Sequence, residues 1–430
     1  MTASILGAPN ARVAHIRAIV LVALGVSAGL SLALLAAGAP QCCDADIYRD
    51  EGNALLAVGW RGGWLPNKHN YLYGAFHAGM IATGAADRVP FMIVQLALLY
   101  GSVVFLAVAI ARVFQRRFAP VLAGLSVVAL LPAAAWSGYW LTEAIATPII
   151  LALIASWLLF TMRPGPPLAL AVGILSAMAW MSRPALLWLP PLVAVGMVVV
   201  LRREPSPRRR LSSAALFAIA FAAVVLPQWL ITPNLNELLH LWLARLQKGM
   251  APAIFRYATN LSGCGEPAMV FSPLTSELSP IIDGTVQAPQ SIAWSLRAGV
   301  AHVVSGWDAR PSPTYVAALS NWPWLVVTLL SGFVMLAPLK LAADERRRET
   351  ATAALGLLAL FLLTQAALVT TATEFRFNMI GWMVGGVSLV IVGRSIDRRY
   401  IALASALTAL IVLIGQLTLR YSPAWNTCPR

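Results

Sequence analysis

The chain has 430 residues, 59% of them hydrophobic and 11% charged, which leaves too little charge to cover the surface of a soluble protein of that size. Its net charge of +14 does not mark a nucleic-acid binder, because the basic residues sit in small clusters between apolar runs and not on one face or in one tail. With a mean hydropathy of +0.75, the expected class is all-α, a polytopic transmembrane helical bundle.

Apolar length predicts about eleven spans. The run from Ala14 to Ala39, with Arg12 and Arg17 at its start, is too long for the core of a cleavable signal and reads as span 1, roughly 18–38. A polar and aromatic first outer loop follows, 40–88. Spans 2 and 3 are expected at roughly 89–111 and 119–136, the latter closed by Trp136, Tyr139 and Trp140 as an interfacial belt. Spans 4 to 7 fall at roughly 143–161, 166–182, 184–201 and 211–231. A long loop covers 232–318, and spans 8 to 11 lie at roughly 320–340, 352–372, 379–393 and 400–418. Three regions result: a catalytic membrane core over 1–231, the long loop 232–318, and C-terminal helices over 319–430.

Orientation follows from the basic clusters. With the N-terminus in the cytoplasm, Arg112, Arg116 and Arg117, the run from Arg202 to Arg210, the triplet Arg346 to Arg348, and Arg394, Arg398 and Arg399 all fall in short cytoplasmic segments. The stretch from Tyr71 to Gly84 is too short and too polar to be a span, and it reads as a membrane-surface or re-entrant helix. The outer face then holds both longest loops and most of the acids. Long loops in a compact protein are usually functional or disordered, and these are rich in Trp, Tyr, Asn and Pro, which favours order against the membrane.

Four constellations fall on the outer face. Asp44, Asp46, Asp50 and Glu51 crowd the first loop, and Ile47, Leu55 and Val58 recur at helical spacing, which predicts a surface helix with a carboxylate near its start. Such a carboxylate at the lipid–water boundary could serve as a general base. Equally, Asp44 or Asp46 could cap that helix. Glu143 opens span 4 after Thr142, as a site residue or as part of an N-terminal cap. Arg183 lies between two apolar spans, where a charge is costly unless it has a function or snorkels to the surface. Glu374 and Arg376 close span 9, as site residues or as a local ion pair. An array of Asp, Glu and Arg at a lipid boundary suits group transfer from a lipid phosphate.

On these residues the sequence resembles the GT-C membrane glycosyltransferases, in particular the branch of the dolichyl-phosphate-mannose protein mannosyltransferases and bacterial aminoarabinose transferases. The resemblance covers spans 1 to 6 and the end of span 9. Asp44-Ala45-Asp46-Ile47-Tyr48 is similar to that family's first-loop motif, and Asp44 takes the place of its catalytic Asp; Ala45 stands where several members carry a second acid, so either Asp46 substitutes or the site uses one carboxylate. Leu141-Thr142-Glu143 is similar to an acid-bearing span start near the donor phosphate or a metal, and Ser182-Arg183-Pro184 to a recurrent R-P turn. Glu374-Phe375-Arg376-Phe377 is similar to an E-x-R-Y element of the lipid-phosphate site, with Phe377 in place of Tyr and the following Pro missing. Where many members have His-Pro-Pro, this chain has Lys68, His69 and Asn70.

The resemblance implies inverting sugar transfer from a polyprenyl-phosphate donor to a hydroxyl of a lipid, polysaccharide or protein acceptor, on the periplasmic side of a bacterial inner membrane. It implies Asp44 and Asp46 as catalytic residues. Arg183, Arg376 and Lys68 would bind the donor phosphate, and Tyr48, His69, Asn70 and Glu143 the substrates. A divalent ion at Glu143 is a further expectation from the resemblance alone. Two other classes remain open. A transporter or flippase of lipid-linked glycans would need polar groups at mid-membrane depth, and nearly all charges here map to span ends. A non-catalytic relative would bind lipid glycans without turnover. Cys42, Cys43, Cys264 and Cys428 all fall on the expected outer side, where disulfides form.

Overall fold

The computed structural model describes residues 45–59, 71–134 apart from 86 and 131, 142–231 apart from 184, 185 and 187, 322–368 apart from 346 and 347, and 375–421 apart from 394, with isolated helical positions between 21 and 32. Among the described residues every regular element is helical and there is no strand. Two short helices come first, α1 (Ala45–Val58) and α2 (Tyr71–Ala82). Then follow α3 (Arg88–Val113), α4 (Phe118–Leu125, continued by a π-helical turn Ser126–Leu130), α5 (Glu143–Met162), α6 (Pro166–Ser182), α7 (Leu189–Leu201) and α8 (Pro207–Ile231). The C-terminal group is α9 (Trp322–Asp344), α10 (Arg348–Leu368), α11 (Phe375–Val392) and α12 (Arg398–Tyr421).

Four of these carry stretches long and apolar enough to cross a membrane: Val89–Val113, Glu143–Met162, Pro207–Ile231 and Val327–Asp344. Shorter apolar helices lie at Phe118–Ala134, Pro166–Ser182, Leu189–Leu201, Thr350–Ala366 and Asn378–Val392. A helix rises about 1.5 Å per residue, so the 26 residues of α3 reach across a hydrocarbon core of about 30 Å. Such helices satisfy every backbone group internally, the condition for chain in lipid. The protein is a multi-pass helical membrane protein. Span 1 and the loop 232–318 lie outside the described residues, apart from the isolated helical positions noted for span 1.

Close packing of small residues knits the bundle. A Cβ at Gly173 on α6 would stand 2.6 Å from the Phe217 carbonyl of α8, and one at Gly385 on α11 would collide with the Val334 carbonyl of α9. In lipid no hydrophobic force drives helices together, so such backbone-to-backbone approach supplies the dispersion contact that does. The π-helical turn is tied to α11: the indole of buried Trp382 donates to the Val128 carbonyl at 2.6 Å.

Two elements differ from the sequence expectation. Span 6, expected from 184, begins as a helix at Leu189, after Pro184 and beside Pro190 and Pro191, which are tolerated in a first turn because the missing N–H groups have no partner there anyway. Helix α1 forms where expected, but Val58 is exposed and the buried face runs through Tyr48, Glu51, Gly52 and Leu55. That face is set by contact with α2: a Cβ at Gly52 would lie 2.8 Å from the His77 Cβ and 3.0 Å from the Ala78 nitrogen.

Candidate functional site

Glu143 and Arg183 meet. A guanidinium nitrogen of Arg183 lies 3.4 Å from Glu143 Oε1, and the residues are 8% and 5% exposed, respectively. Local sequence explains both positions. Glu143 is the first residue of α5, where the partial positive charge of the helix N-terminus favours a carboxylate. The Thr142 hydroxyl does not cap the helix; it donates to Glu143 Oε2 at 3.2 Å. Arg183 closes α6, where the negative end of the helix favours a cation. Pro184 disfavours helical backbone in the residue before it, and Arg183 is extended at φ −147° and ψ 110°. The antiparallel run of α5 and α6 therefore brings the start of one helix and the end of the other to the same end of the bundle.

Helices α1 and α2 pack at that end. The Tyr71 N–H donates to Gln228 Oε1 at 2.9 Å and the Tyr71 hydroxyl to the Val224 carbonyl at 2.6 Å, which fixes the start of α2 on the last turns of α8. Burial pushes the Tyr71 phenol up to about 12, so it remains a donor. Tyr71, Trp180 of α6 and Val225 of α8 share one apolar cluster with Leu55 of α1. The opposite end of the bundle carries the basic residues Arg112, Arg163, Arg202 and Arg208 to Arg210, at the ends or starts of α3, α5, α7 and α8.

Between α1 and the bundle runs an aromatic stack. Tyr48 and Tyr73 meet edge-on with ring centroids 4.8 Å apart, as do Tyr73 and His77, and His77 lies 4.5 Å from Phe91 of α3. Burial, with the Arg49 guanidinium second, lowers the His77 pKa to about 3, so the ring is neutral near pH 7. Tyr73 is pushed well above the ordinary tyrosine value, by burial first and then by Tyr48 and the Glu143 carboxylate.

Of the residues named from the sequence, the structure brings together Glu143 and Arg183 and sets Tyr48 in the aromatic stack on Tyr73. Asp46 is on the exposed face of α1, paired with Arg49 at 3.1 Å. Asp44, Lys68, His69 and Asn70 lie outside the described residues, as do Glu374 and all four cysteines. Arg376 is in the first turn of α11, its side chain outside the description. The residues singled out from the sequence did not include Tyr73, Gln228 or His77. The signal was there for the first and last: Tyr73, His77 and Met80 recur at helical spacing and form the buried face of α2.

A divalent ion at Glu143 would need several oxygen ligands. Among the described residues no group of three or more His, Cys, Asp or Glu comes together, and Glu143 faces a guanidinium. Among the described residues, Glu143 is therefore not joined by two further His, Cys, Asp or Glu ligands.

The solved structure of the archaeal oligosaccharyltransferase AglB from Archaeoglobus fulgidus, in complex with an inhibitory peptide and a dolichol-phosphate, is similar to this chain at a TM-score of 0.46 and 12% identity. The match covers 94% of this chain and 55% of that one, so this chain spans about half the length of that protein. No protein-family model and no curated protein sequence matches the chain.

Proposed function

We propose that the protein is a GT-C-type glycosyltransferase that moves a sugar from a polyprenyl-phosphate donor to a hydroxyl acceptor on the periplasmic face of the membrane. The observation that carries this is the meeting of Glu143 and Arg183, the acid of L-T-E and the base of R-P, as a buried pair at the α1–α2 end of the bundle. Both were singled out by motif alone, on different helices.

In this mechanism Asp44, immediately before α1, takes the proton of the acceptor hydroxyl. The hydroxyl oxygen attacks the anomeric carbon, and the bond from that carbon to the phosphate oxygen breaks with its electron pair. Polyprenyl phosphate leaves, and the anomeric configuration inverts. Arg183 neutralises the charge that grows on the leaving phosphate, in a site dry enough for the interaction to count. Arg376 and Lys68 add positive charge, and His69 and Asn70 contact the sugar. Tyr48 holds α1 against α2 through Tyr73, and Asp46, paired with Arg49, is the second carboxylate proposed for catalysis.

The test is sugar transfer in membranes supplied with a labelled polyprenyl-phosphate sugar. The Asp44→Asn variant should lose transfer by at least two orders of magnitude while still inserting. Undiminished transfer would remove Asp44 from the mechanism.

A further inference from the structure

Helix α2 is attached to the bundle at its first residue. The first N–H groups of a helix have no partner within it. That of Tyr71 is met from another helix: it donates to Gln228 Oε1 of α8 at 2.9 Å, and Gln228 is 3% exposed. The Tyr71 hydroxyl donates to the Val224 carbonyl, one turn earlier on the same face of α8. Pro227 stands between these two anchor points. It has no N–H for the carbonyl four residues before it, so α8 cannot bond regularly just where α2 is attached.

Two lines of contact lead from this attachment into the proposed site. One reaches Arg183. Tyr71 shares an apolar cluster with Trp180 and Met181 in the last turn of α6, and the Arg183 N–H donates to the Trp180 carbonyl at 3.1 Å. The other reaches α1, which packs chiefly against α2. Tyr48 meets the Tyr73 ring edge-on at 4.8 Å, a Cβ at Gly52 would lie 2.8 Å from the His77 Cβ, and Leu55 joins the cluster of Tyr71. Arg183 is held by its own helix and by Glu143. The placement of α1 relative to Arg183 therefore depends on where α2 sits.

We propose that Gln228 is a positioning residue: by accepting the Tyr71 N–H it sets α2, and with it α1, at the separation from Arg183 that sugar transfer needs. This rests on the proposed function, in which Asp44 immediately before α1 takes the acceptor proton and Arg183 meets the donor phosphate. In this role Gln228 touches neither substrate and acts through Tyr71. A misplacement of about 1 Å costs a reaction up to about a hundredfold. The phosphate site on α5 and α6 keeps its geometry meanwhile, so the loss falls on kcat and not on donor binding.

The experiment compares the parent, Gln228→Leu, Gln228→Glu and Thr408→Val, all as full-length protein in membranes. Initial rates are read against the concentration of labelled decaprenyl-phosphate mannose, glucose or arabinose and normalised to folded protein. Binding of decaprenyl phosphate is measured on the same proteins in detergent. Gln228→Leu keeps much of the volume and removes the acceptor. Its kcat should fall about tenfold or more, with donor KM and decaprenyl phosphate binding within about threefold of the parent. Gln228→Glu keeps the acceptor, and the N-terminus of α2 favours its charge, so kcat should stay within about threefold of the parent. Thr408→Val is the control. Thr408 Oγ1 of α12 likewise accepts a helical N–H from another helix, that of Gly332 in α9 at 3.0 Å, and its loss should leave kcat unchanged.

A parental kcat in Gln228→Leu would overturn the proposal. So would an equal loss in Thr408→Val, because any weakened helix contact would then do the same. A Gln228→Glu variant as slow as Gln228→Leu would also overturn it, since the acceptor would not be what matters. A loss of decaprenyl phosphate binding as large as the loss of kcat would put Gln228 at the donor itself and end the positioning role. If Gln228→Leu does not fold, Gln228→Asn, which draws the amide back by one methylene, takes its place with the same expectations. A parent that transfers none of these sugars would sink the proposed function and the positioning role with it. An active parent with an unaffected Gln228→Leu would sink the positioning role alone.

Discussion

Two ion-pair sites at opposite ends of the bundle differ in what surrounds them. At the α1–α2 end, Glu143 and Arg183 are buried and set at two helix termini. At the other end Lys340 of α9 lies 3.2 Å from Asp344 and 3.6 Å from Asp397, both of which reach solvent. The distances are alike and the energetics are not. Water screens the second group, where Asp397 chiefly caps α12 by accepting from the Tyr400 N–H at 2.7 Å. The first group has given up its hydration, so each charge depends on the other. Charges at span ends are expected in any membrane protein, and a desolvated pair is the exception that invites a function.

That contrast can be broken from either side. Arg183→Ala leaves Glu143 buried without its cation, and thermal unfolding should show a loss of about 3–5 kcal/mol. A loss below 1 kcal/mol would mean that the pair is solvated after all. Gly52→Ala places a Cβ 2.8 Å from that of His77, and parting α1 from α2 should cost about 1–3 kcal/mol. An unchanged melting curve would mean that α1 does not sit on α2 as described.

Acid should act at the α1–α2 end too. The His77 pKa is lowered in the folded state to about 3, so between pH 6.5 and 3 the unfolded chain binds the proton and the folded chain does not. Stability from this group is complete above pH 6.5 and declines as the pH falls toward 3. In His77→Phe that part of the pH dependence should vanish, as read from melting temperatures across the window. A slope equal to that of the parent would refute it. The smallest effect belongs to the other end. Asp397 is held below its ordinary carboxylate value, first by the Tyr400 N–H and also by Lys340, yet it is exposed. Asp397→Ala should lower the melting temperature by a degree or two at most and leave transfer intact, because only the cap is lost. A drop as large as that of Arg183→Ala would erase the distinction between the ends.

Much of the fold was legible because lipid imposes length and hydropathy on every span. The starts of α3, α5 and α6 follow within a residue or so of the expected bounds. Span 6 was expected from 184, but its helix begins only at Leu189, with Pro190 and Pro191 in the first turn. The site was legible only in part. Glu143 and Arg183 could be named one by one, since a charge against an apolar run stands out, but their contact depends on the antiparallel packing of α5 on α6. Tyr73 could not be named as a site residue, because an aromatic in an apolar helix looks like core until the fold sets it against Tyr48 of α1. Gln228 was hidden for a similar reason: it reads as one polar residue near the end of a span, and only the fold shows it holding the start of α2.

The most direct measurement is sugar transfer from a labelled polyprenyl-phosphate donor by the double variant Glu143→Gln, Arg183→Met, normalised to folded protein in the membrane. Replacing both partners of a buried pair by neutral groups of similar volume is often close to neutral for stability. The variant should therefore fold near the parent's melting temperature and lose transfer by two orders of magnitude or more. A folded variant that transfers sugar at the parent's rate would contradict the account, and would leave the pair as a purely structural bridge between α5 and α6.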